Sequence, residues 1–451
     1  MINFEIKELN TYYDPFYTYN LFKDNIDSIF LDSSKEDKLL SKYSFIGLNP
    51  YKKFSSKGRE VLIDNEVYKD VDPFEELEKL IDSYKINISS DIPFVSGTIG
   101  YFSYDIGRIL EQLPDNSSED FSIPDSMFIF FDNLIIFDLH NRKTYITAIG
   151  QIEEATRSIL RIEKCLENYK EERPIKLKDS NNKFYSNFNK DKYEKFVSLL
   201  KDYIRSGDVY LANMTRQIWC DNQEDSFEIY QKLRSSNKAP FSAYMNFKDF
   251  QIMSSSPERF LSITDGLVQT RPIKGTRPRG KNHEEDEKNK NELINSEKDK
   301  SELLMIVDLE RNDLSKVCMP NSVKVTELFK LEEYETVFHL VATIEGILKE
   351  NVSSVKCIRE CFPGGSITGA PKIRAMEIIE ELEKLKRNIY TGSIGYFDLR
   401  GNSDFNIVIR TIVKKDNKAY LGVGGGITWE SIENDEWFET IDKAKALMGV
   451  L

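Results

Sequence analysis

The fold class follows first from an apolar run in the N-terminal third of the chain, Ser126-Met-Phe-Ile-Phe-Phe-Asp-Asn-Leu-Ile-Ile-Phe-Asp138. Its aromatic and β-branched residues predict two strands, joined by a tight turn at the Asp-Asn pair in the middle. Another strand is predicted over 144–149 and a helix over 151–169. Residues 1–150 alternate such short apolar runs with turn signals, so this region is predicted to be rich in sheet.

The rest of the chain mixes strands and helices. Helices are predicted near 191–206, ended by Gly207, and over 435–448, and residues 281–302 are charged and helical in character. The predicted strands lie near 208–219, 240–247, 250–256, 259–264, 267–274, 390–398, 405–413 and 418–423. Because no regular βαβ rhythm is present, we predict an α+β architecture, with large antiparallel sheets in a sandwich-like core flanked by helices.

A polar, aperiodic segment rich in Lys, Asn and Ser divides the chain. We predict a sheet-rich N-terminal region over 1–170, a linker over 171–190, and a second region over 191–451 that carries the chemistry described below.

The composition excludes several classes of function. A formal net charge of −13 would repel nucleic acids and anionic membranes over most of the surface. No stretch reaches the length of about 18 apolar residues that a membrane helix requires. The five cysteines are odd in number, which favours free thiols in a reducing cytoplasm, and the three histidines give no usual zinc spacing. We therefore expect a cytoplasmic protein that binds neither nucleic acid nor membrane.

Lys274 is the most informative single residue. It lies in the run Gln269-Thr-Arg-Pro-Ile-Lys-Gly-Thr-Arg-Pro-Arg-Gly280, between a proline that restricts the backbone and a glycine that allows it to turn. A lysine in semi-apolar surroundings can act as a nucleophile. Most lysines near turns are solvated charges, so the run by itself leaves both interpretations open.

Two predicted helices each carry a pair of carboxylates on one face. The pairs are Asp299 with Glu302, and Glu436 with Glu439. Each pair is also what an ordinary solvent-exposed amphipathic helix shows. If the two faces converge, however, their like charges would require a hard divalent cation, and Mg²⁺ fits carboxylate ligands and substrate oxygens.

Two glycine clusters follow. The first, Cys361-Phe-Pro-Gly-Gly-Ser-Ile-Thr-Gly-Ala-Pro-Lys372, opens into a helix whose free N–H groups can bind an anion. It is not a Walker loop, because Ala-Pro-Lys follows the last glycine. The second cluster, residues 424–426, permits close approach of the backbone to a small ligand. A flexible turn and an ordinary helix start would explain the first cluster equally.

Two further residues have polar groups in apolar surroundings. Arg410 lies on a predicted apolar strand, where a buried guanidinium needs either a structural carboxylate or a substrate carboxylate. His339 lies among apolar neighbours, and a hydrogen-bonded core histidine is its ordinary interpretation.

Taken together and in this order, the motifs resemble those of the chorismate-utilising enzyme family. The resemblance is strong from Lys192 to the C-terminus and weaker before it. The motifs that carry it are Ser256-Pro-Glu-Arg-Phe-Leu261, Thr270-Arg-Pro-Ile-Lys-Gly-Thr276, Leu304-Met-Ile-Val-Asp-Leu-Glu-Arg-Asn-Asp313, His339-Leu-Val-Ala-Thr343, the run at 363–372, Gly392-Ser-Ile-Gly-Tyr396, the glycines at 424–426 and Glu439-Thr440.

The resemblance implies two interlaced subdomains and a set of residue roles. Lys274 would add to ring carbon 2 of chorismate, Glu258 would serve as general acid and base, and His339 would support the ring. Mg²⁺ would be bound by Glu302 and Glu439, with Glu436 nearby. The implied substrate-binding residues are Arg410, Tyr390, Gly424, Gly425, Gly426, Ser366, Thr276 and Lys372.

Within this family Lys274 indicates the product. It is common in the members that aminate chorismate at ring carbon 4, whereas anthranilate-forming members usually have alanine there. Isochorismate and salicylate synthases use a lysine base at a position that is Leu211 here. The same strand also departs from the usual Gln-Arg ending of the family motif, with Arg216-Gln217. An anthranilate-forming enzyme and a non-catalytic, tryptophan-binding regulatory subunit remain as alternatives.

The resemblance also implies partners. No segment resembles a glutaminase nucleophile, so ammonia would come from a separate glutamine amidotransferase subunit in a heterodimer, or from solution. Relatives hold tryptophan in the N-terminal sheet. The residues that match those segments here are Ser33, Tyr43, Ser44, Pro240 and Phe241.

Overall fold

The computed structural model describes residues 3–35, 40–171, 182–334 and 337–451. Within these ranges the chain forms 22 strands and 11 helices. The strands are β1 (Glu5–Glu8), β2 (Ser28–Asp32), β3 (Tyr43–Lys57), β4 (Glu60–Ile63), β5 (Glu66–Tyr68), β6 (Gly97–Phe102), β7 (Ser126–Asp138), β8 (Lys143–Ala148), β9 (Tyr185–Ser186), β10 (Leu211–Asp221), β11 (Phe241–Asn246), β12 (Phe250–Ser256), β13 (Arg259–Thr264), β14 (Leu267–Arg271), β15 (Ile273–Pro278), β16 (Lys324–Glu333), β17 (Val337–Ile347), β18 (Gly369–Ala370), β19 (Ser393–Asp398), β20 (Ser403–Asn406), β21 (Thr411–Lys415) and β22 (Lys418–Ile427). The helices are α1 (Pro15–Asn20), α2 (Pro73–Asp82), α3 (Gly107–Leu110), α4 (Ala155–Leu166), α5 (Lys190–Ser206), α6 (Ser226–Ser236), α7 (His283–Ile294), α8 (Glu297–Val317), α9 (Ser354–Cys361), α10 (Lys372–Glu383) and α11 (Glu433–Met448).

The strands form one hydrogen-bonded network in which every recorded strand pair is antiparallel. The longest ladder joins β3 to β7. Two ladders, β2 with β11 and β6 with β19, connect the strands of the N-terminal region to those of the second region. The α+β class with large antiparallel sheets is therefore confirmed, and these shared ladders interlace the two halves of the chain.

The prediction of two strands over 126–138 is wrong, because β7 is a single strand of 13 residues. The two residues expected to form the turn are buried, and their side chains form hydrogen bonds with residues further along the chain. Asp132 accepts hydrogen bonds from the backbone N–H groups of Gln151 and Ile152. The Asn133 amide donates to Thr147 O and Ser158 Oγ. Two polar residues whose hydrogen bonds are satisfied in this way do not require a turn.

Two other predicted strands are interrupted. The strand expected over 267–274 breaks at Pro272, which has no N–H for the ladder. The strand expected over 405–413 breaks at 407–410, where Arg410 adopts a left-handed φ of 51°. Here the backbone bonds outside the ladder, since Ile407 N donates to Glu258 O at 3.0 Å. Arg410 thus lies in a bend before β21 and not on a strand.

The predicted helix over 191–206 is confirmed as α5, and Gly207 ends it with a φ of 85°. The charged segment forms two helices, α7 and α8, and α8 continues to Val317. Of the predicted linker, residues 172–181 lie outside the described residues, and Tyr185–Ser186 pairs with β10. The division of the chain at this linker stays a prediction.

The core is large and its cysteines are reduced. Buried hydrophobic residues form four clusters, and all five cysteines are free thiols, as predicted. Among the described residues no helix is long and apolar enough to cross a membrane. Chemistry-bearing residues from β15, β17, β22, α8, α11 and the turn at 365–367 meet at one end of this core.

Candidate active site

Lys274 projects from β15 into a space bounded by two glycine-rich segments. Its Nζ atom donates a hydrogen bond to the carbonyl oxygen of Ser366 at 3.1 Å. A methyl group placed on Gly426 would lie 3.5 Å from the same nitrogen. The next residue, Gly275, has a φ of 77°, and a side chain there would collide with Leu293 and Asp299. The local backbone thus requires glycine to aim the lysine at this space.

Glu258, directly before β13, supplies a buried acid beside the lysine. It is 5% exposed. Burial raises its pKa, while the nearby ammonium of Lys274 acts in the opposite direction without cancelling the shift. A carboxyl group in this state can hold a proton and release it to a reacting atom.

Several buried polar atoms at this end of the core have no hydrogen-bond partner among the described residues. Buried polar side chains are normally satisfied, so a group of exceptions indicates where a polar ligand binds. These atoms are Glu258 Oε1, Ser366 Oγ, Thr428 Oγ1 and Glu436 Oε2.

The acidic residues of α11 lie against the second glycine cluster. A methyl group on Gly425 would lie 3.2 Å from Glu439 Oε1 and 3.3 Å from Glu436 Oε2. Burial, with a smaller contribution from the neighbouring Glu439, raises the pKa of Glu436 to about 7. Burial also raises the pKa of Glu302 on α8, where Lys274 opposes and Glu439 adds to the shift. Residues of the two acidic helices therefore interact electrostatically, which is the condition under which the carboxylate pairs would require a cation.

The three glutamates supply the oxygen donors that Mg²⁺ prefers, but they do not form a complete ligand set. No group of three or more His, Cys, Asp or Glu side chains in the described ranges is arranged to hold a metal ion by itself. Glu439 pairs with Lys443 at 2.6 Å, and Asp299 bonds to Arg277 at 3.0 Å, away from the other carboxylates. Glu436 Oε2 is buried and has no hydrogen-bond partner among the described residues, so this oxygen is available as a metal ligand. This arrangement fits an ion that takes its remaining ligands from substrate and water.

Arg410 supplies an unpaired positive charge. Its half-buried guanidinium has no recorded ion pair or hydrogen bond with the described residues, and burial lowers its pKa while Glu258 opposes that shift. An arginine held in this way is ready to bind a ligand carboxylate.

His339 on β17 is a neutral side chain next to this arginine. Burial and the charge of Arg410 lower its pKa to about 3. Its Nδ1 atom pairs with Thr276 Oγ1 at 2.9 Å, so the two predicted site residues form a unit. Because the ring stays uncharged at neutral pH, it can donate or accept a hydrogen bond but cannot act as a cation.

Tyr390 and Lys372 have surroundings that the sequence did not indicate. The Tyr390 ring packs on Gly422, where a methyl group would lie 2.2 Å from it. Lys372 Nζ donates to Asp313 Oδ2, Cys361 O and Pro363 O at 2.6, 2.8 and 2.7 Å. All three donors of Lys372 are thus engaged in holding the first glycine loop.

Three residues near the site were missed by sequence reasoning. Lys443 pairs with Glu439 and donates to Gly424 O at 2.7 Å, and its i, i+4 spacing from Glu439 was a usable signal. Glu310 is buried on α8 and accepts a hydrogen bond from Thr270 at 2.8 Å. Thr428 lies two residues after the glycine cluster. Glu310 lies within the resembled motif at 304–313, which was a usable signal, whereas no motif includes Thr428.

A second cavity, of about 380 Å³, lies between the N-terminal sheet and the second region. Ser33, Tyr43, Pro240 and Phe241 line it, as do Arg259 and Asp404. The fifth predicted residue, Ser44, lies behind Ser33 and accepts a hydrogen bond from its backbone N–H at 3.0 Å.

A lysine, a buried acid, glutamates from two helices and an arginine meet at this end of the core, and comparison with known proteins identifies the class of the protein. Residues 27–449 match the family described as chorismate binding enzyme, and the chain belongs to that family. It is therefore an enzyme that acts on chorismate.

The relatives carry two different names. Aminodeoxychorismate synthase component 1 of Bacillus subtilis (strain 168) is 36% identical over 420 residues, which is 91% of this chain and 89% of that protein. Anthranilate synthase component 1 of Acetivibrio thermocellus is 33% identical over 458 residues, covering 97% and 92%. The crystal structure of anthranilate synthase component I from Streptococcus pneumoniae TIGR4 superimposes with a TM-score of 0.82 at 30% identity, covering 92% and 94%, which confirms the predicted fold.

Proposed function

We propose that this protein is component I of aminodeoxychorismate synthase. It aminates chorismate at ring carbon 4 in a Mg²⁺-dependent reaction and gives 4-amino-4-deoxychorismate for 4-aminobenzoate and folate synthesis. The ammonia comes from a separate glutamine amidotransferase subunit. The observation that carries this proposal is the Lys274 amine, which lies in the site beside the buried acid Glu258 and donates a hydrogen bond to the Ser366 carbonyl.

Lys274 first releases its ammonium proton to solvent, and the resulting amine adds to ring carbon 2. The ring double bonds shift, the bond from carbon 4 to its hydroxyl breaks, and Glu258 gives its proton to the departing hydroxyl, which leaves as water. Ammonia then adds at carbon 4, the double bonds shift back, and the bond to Lys274 breaks. The surplus proton of the new ammonium group returns to the Glu258 carboxylate, so the enzyme is regenerated.

The carboxylates of Glu302 and Glu439, with Glu436 nearby, would hold Mg²⁺. When bound, the ion neutralises the ring carboxylate and draws electron density toward that end of the ring. The free Glu436 Oε2 atom and the space beside Gly425 support this assignment.

The remaining residues hold the substrate in place. Arg410 binds the enolpyruvyl carboxylate, together with the backbone at 424–426 and the side chain of Tyr390. Ser366 Oγ lies beside the Glu258 carboxyl group and has no well-formed hydrogen bond within the described residues, and it bonds to the substrate near the reacting carbons. The Thr276 and His339 pair supports the ring as a neutral contact.

The surroundings of Lys274 favour amination over addition of water. A methyl group on Gly426 would lie 3.4 Å from Leu211 Cδ1 and 3.5 Å from Lys274 Nζ, so the leucine side chain lies beside the lysine. Leu211 occupies the position where water-adding relatives have their lysine base. An apolar side chain at that point cannot activate water.

The experiment is product identification. The purified chain is incubated with chorismate, Mg²⁺ and ammonium, and the products are separated by chromatography and analysed by mass. We expect 4-amino-4-deoxychorismate, which an added lyase converts to 4-aminobenzoate. Direct appearance of fluorescent anthranilate would instead assign the chain to the anthranilate-forming branch. Absence of any chorismate consumption would favour a regulatory subunit.

We further propose that the second cavity binds tryptophan. Its volume of about 380 Å³ accommodates an amino acid of that size, Phe241 and Tyr43 offer aromatic faces, and Asp32 lies at its wall.

Protein denatured after purification should release tryptophan, or the purified protein should bind added tryptophan in calorimetry. A Phe241→Asp variant should have the same affinity for chorismate as the wild type but should no longer bind tryptophan. Failure to detect tryptophan in both assays would refute the assignment.

A further inference from the structure

Arg216 on β10 is a buried arginine with no acidic partner. It is 4% exposed, and no ion pair to a carboxylate is recorded for it within the described residues. Its Nη2 atom is buried and forms no hydrogen bond there. Buried guanidinium groups usually pair with carboxylates, since an uncompensated charge in the core is costly. The free-energy cost of burying the Arg216 charge therefore suggests that this arginine has a function.

The contacts of Arg216 are concentrated on helix α11. Its guanidinium carbon lies 4.3 Å from the centroid of the Trp437 ring. Its Nε atom donates to Thr440 Oγ1 at 2.9 Å, and Nη1 donates to Ser186 Oγ at 3.1 Å. Thr440 in turn donates to Trp437 O at 2.7 Å, so both partners on the helix belong to one bonded unit.

These two partners each follow one of the glutamates proposed to hold the cation. Trp437 comes directly after Glu436, and Thr440 comes directly after Glu439. Rotation of the helix by one residue, about 100°, would break both contacts of Arg216 and turn both carboxylates away from Gly425. The rotation that satisfies the arginine is therefore the rotation that aims the two glutamates at the site.

The guanidinium is suited to this task in a way that a lysine is not. It stacks its flat face on the indole and donates in two directions within its plane, whereas an ammonium offers a single point of charge. Its pKa is lowered by burial, but only to about 10, so it remains a cation at neutral pH.

We propose that Arg216 is a positioning residue that holds α11 in the rotation required for Glu436 and Glu439 to bind a divalent cation. This inference rests on the proposed function, because the cation site is the one proposed there. Arg216 does not touch substrate and is not a catalytic residue. The role is tied to this chain's Arg216-Gln217 order, which differs from the Gln-Arg order of the resembled motif.

The test is Mg²⁺ binding by the full chain in the absence of chorismate, measured by titration calorimetry. Arg216→Gln and Arg216→Lys are expected to bind Mg²⁺ about tenfold more weakly than the wild type, because a less fixed helix must be ordered by the ion. The matched control is Arg205→Lys, an exposed arginine stacked on Trp429 at 5.3 Å, which should bind Mg²⁺ as the wild type does. Circular dichroism confirms that each variant is folded, and Arg216→Lys serves as the conservative variant if Arg216→Gln does not fold.

A second readout separates positioning from general damage. At saturating Mg²⁺ the KM for chorismate of the Arg216 variants should equal that of the wild type, and guanidinium ion at millimolar concentration should restore Mg²⁺ affinity to Arg216→Ala. Folded Arg216 variants that bind Mg²⁺ like the wild type would overturn this role alone. If the wild type bound no Mg²⁺, and its titration matched that of Glu439→Gln, the cation site and this role would both be overturned.

Discussion

The amine of Lys274 and the carbonyl of Ser366 meet at 3.1 Å, and Lys274 forms no recorded ion pair with a carboxylate among the described residues. This relationship distinguishes Lys274 from Lys443, which is paired with Glu439, and from Lys372, which is paired with Asp313. Because its amine is not held in an ion pair of this kind, Lys274 is the best placed of the three lysines to reach a substrate atom.

Glu258→Gln should lower kcat by about 10²- to 10⁴-fold, the usual contribution of a general acid. The amide keeps the size of the side chain but has no proton to give to the departing hydroxyl, so KM for chorismate should change little. Steady-state kinetics with ammonium measure both parameters. Glu228→Gln on the exposed surface is the control and should match the wild type. A Glu258→Gln enzyme with normal kcat would remove this residue from the acid role.

Arg410→Gln should raise the KM for chorismate by about tenfold to a hundredfold, since a charge-assisted hydrogen bond to a carboxylate is worth roughly 1.5–3 kcal/mol. Within the part of the chain that the structure describes, the Arg410 side chain forms no hydrogen bond or ion pair that would be lost, so the melting temperature should not fall. Substrate-dependence curves and thermal scans test the two parts separately. An unchanged KM, or a large loss of stability, would show that the guanidinium has a different partner.

Glu310→Gln should reduce the loss of stability at alkaline pH. Burial raises the pKa of Glu310 to about 8, and Glu258 and Asp313 add to this shift. The folded state therefore binds the proton more tightly than the unfolded state, where the pKa is about 4.3. The stability that this group contributes at low pH is lost as pH rises toward about 8. Glutamine at this position does not ionise, so the variant does not lose this contribution to stability as pH rises.

Thermal unfolding from about pH 5 to about pH 8 provides the measurement for Glu310. The wild-type melting temperature should fall across this range, and Glu310→Gln should fall less, by about 2 °C or more at the upper end. The slope should not vanish, because burial also raises the pKa of Glu436, to about 7. Parallel curves for the two proteins would indicate that Glu310 is ionised throughout.

Gly425→Ala should weaken Mg²⁺ binding while leaving the fold intact. The new methyl group would lie 3.2 Å from Glu439 Oε1 and 3.3 Å from Glu436 Oε2, so both carboxylates must move. Calorimetric titration should show an affinity lower by about tenfold, a change of roughly 1.4 kcal/mol. Gly107→Ala is a matched control, because its methyl meets the flexible end of Met376 at a similar 3.2 Å. Equal Mg²⁺ affinity in the two variants would contradict the carboxylate assignment.

The fold was predictable where local pattern and tertiary contacts agree. Gly207 ends α5 because only glycine adopts its φ of 85° without strain, and this signal is local. The turn predicted at the Asp132-Asn133 pair was wrong because the hydrogen-bond partners of the pair, such as Gln151 and Ser158, lie far along the chain. Turn propensity does not reveal that a polar pair will be satisfied inside a sheet.

The site shows the same division. Lys274 and Glu439 were predicted as site residues because they lie in motifs of the resembled family, and Glu302 because it shares a helix face with Asp299. Arg410 was found, but its bend was not, since the strand break depends on Ile407 bonding to Glu258 O. The role of Arg216 depends on Trp437 and Thr440, more than 200 residues away, and no local pattern shows that they will meet.

The most direct test of the account is the fate of Lys274 when the enzyme meets chorismate and Mg²⁺ without ammonia. Intact-mass analysis after rapid acid quench should show the protein heavier by one chorismate less one water, and peptide mapping should place the addition on Lys274. Lys274→Ala should show no addition and should lose at least about 10²-fold in kcat. A wild-type protein with no addition, together with a Lys274→Ala variant that makes 4-amino-4-deoxychorismate at the normal rate, would contradict the account.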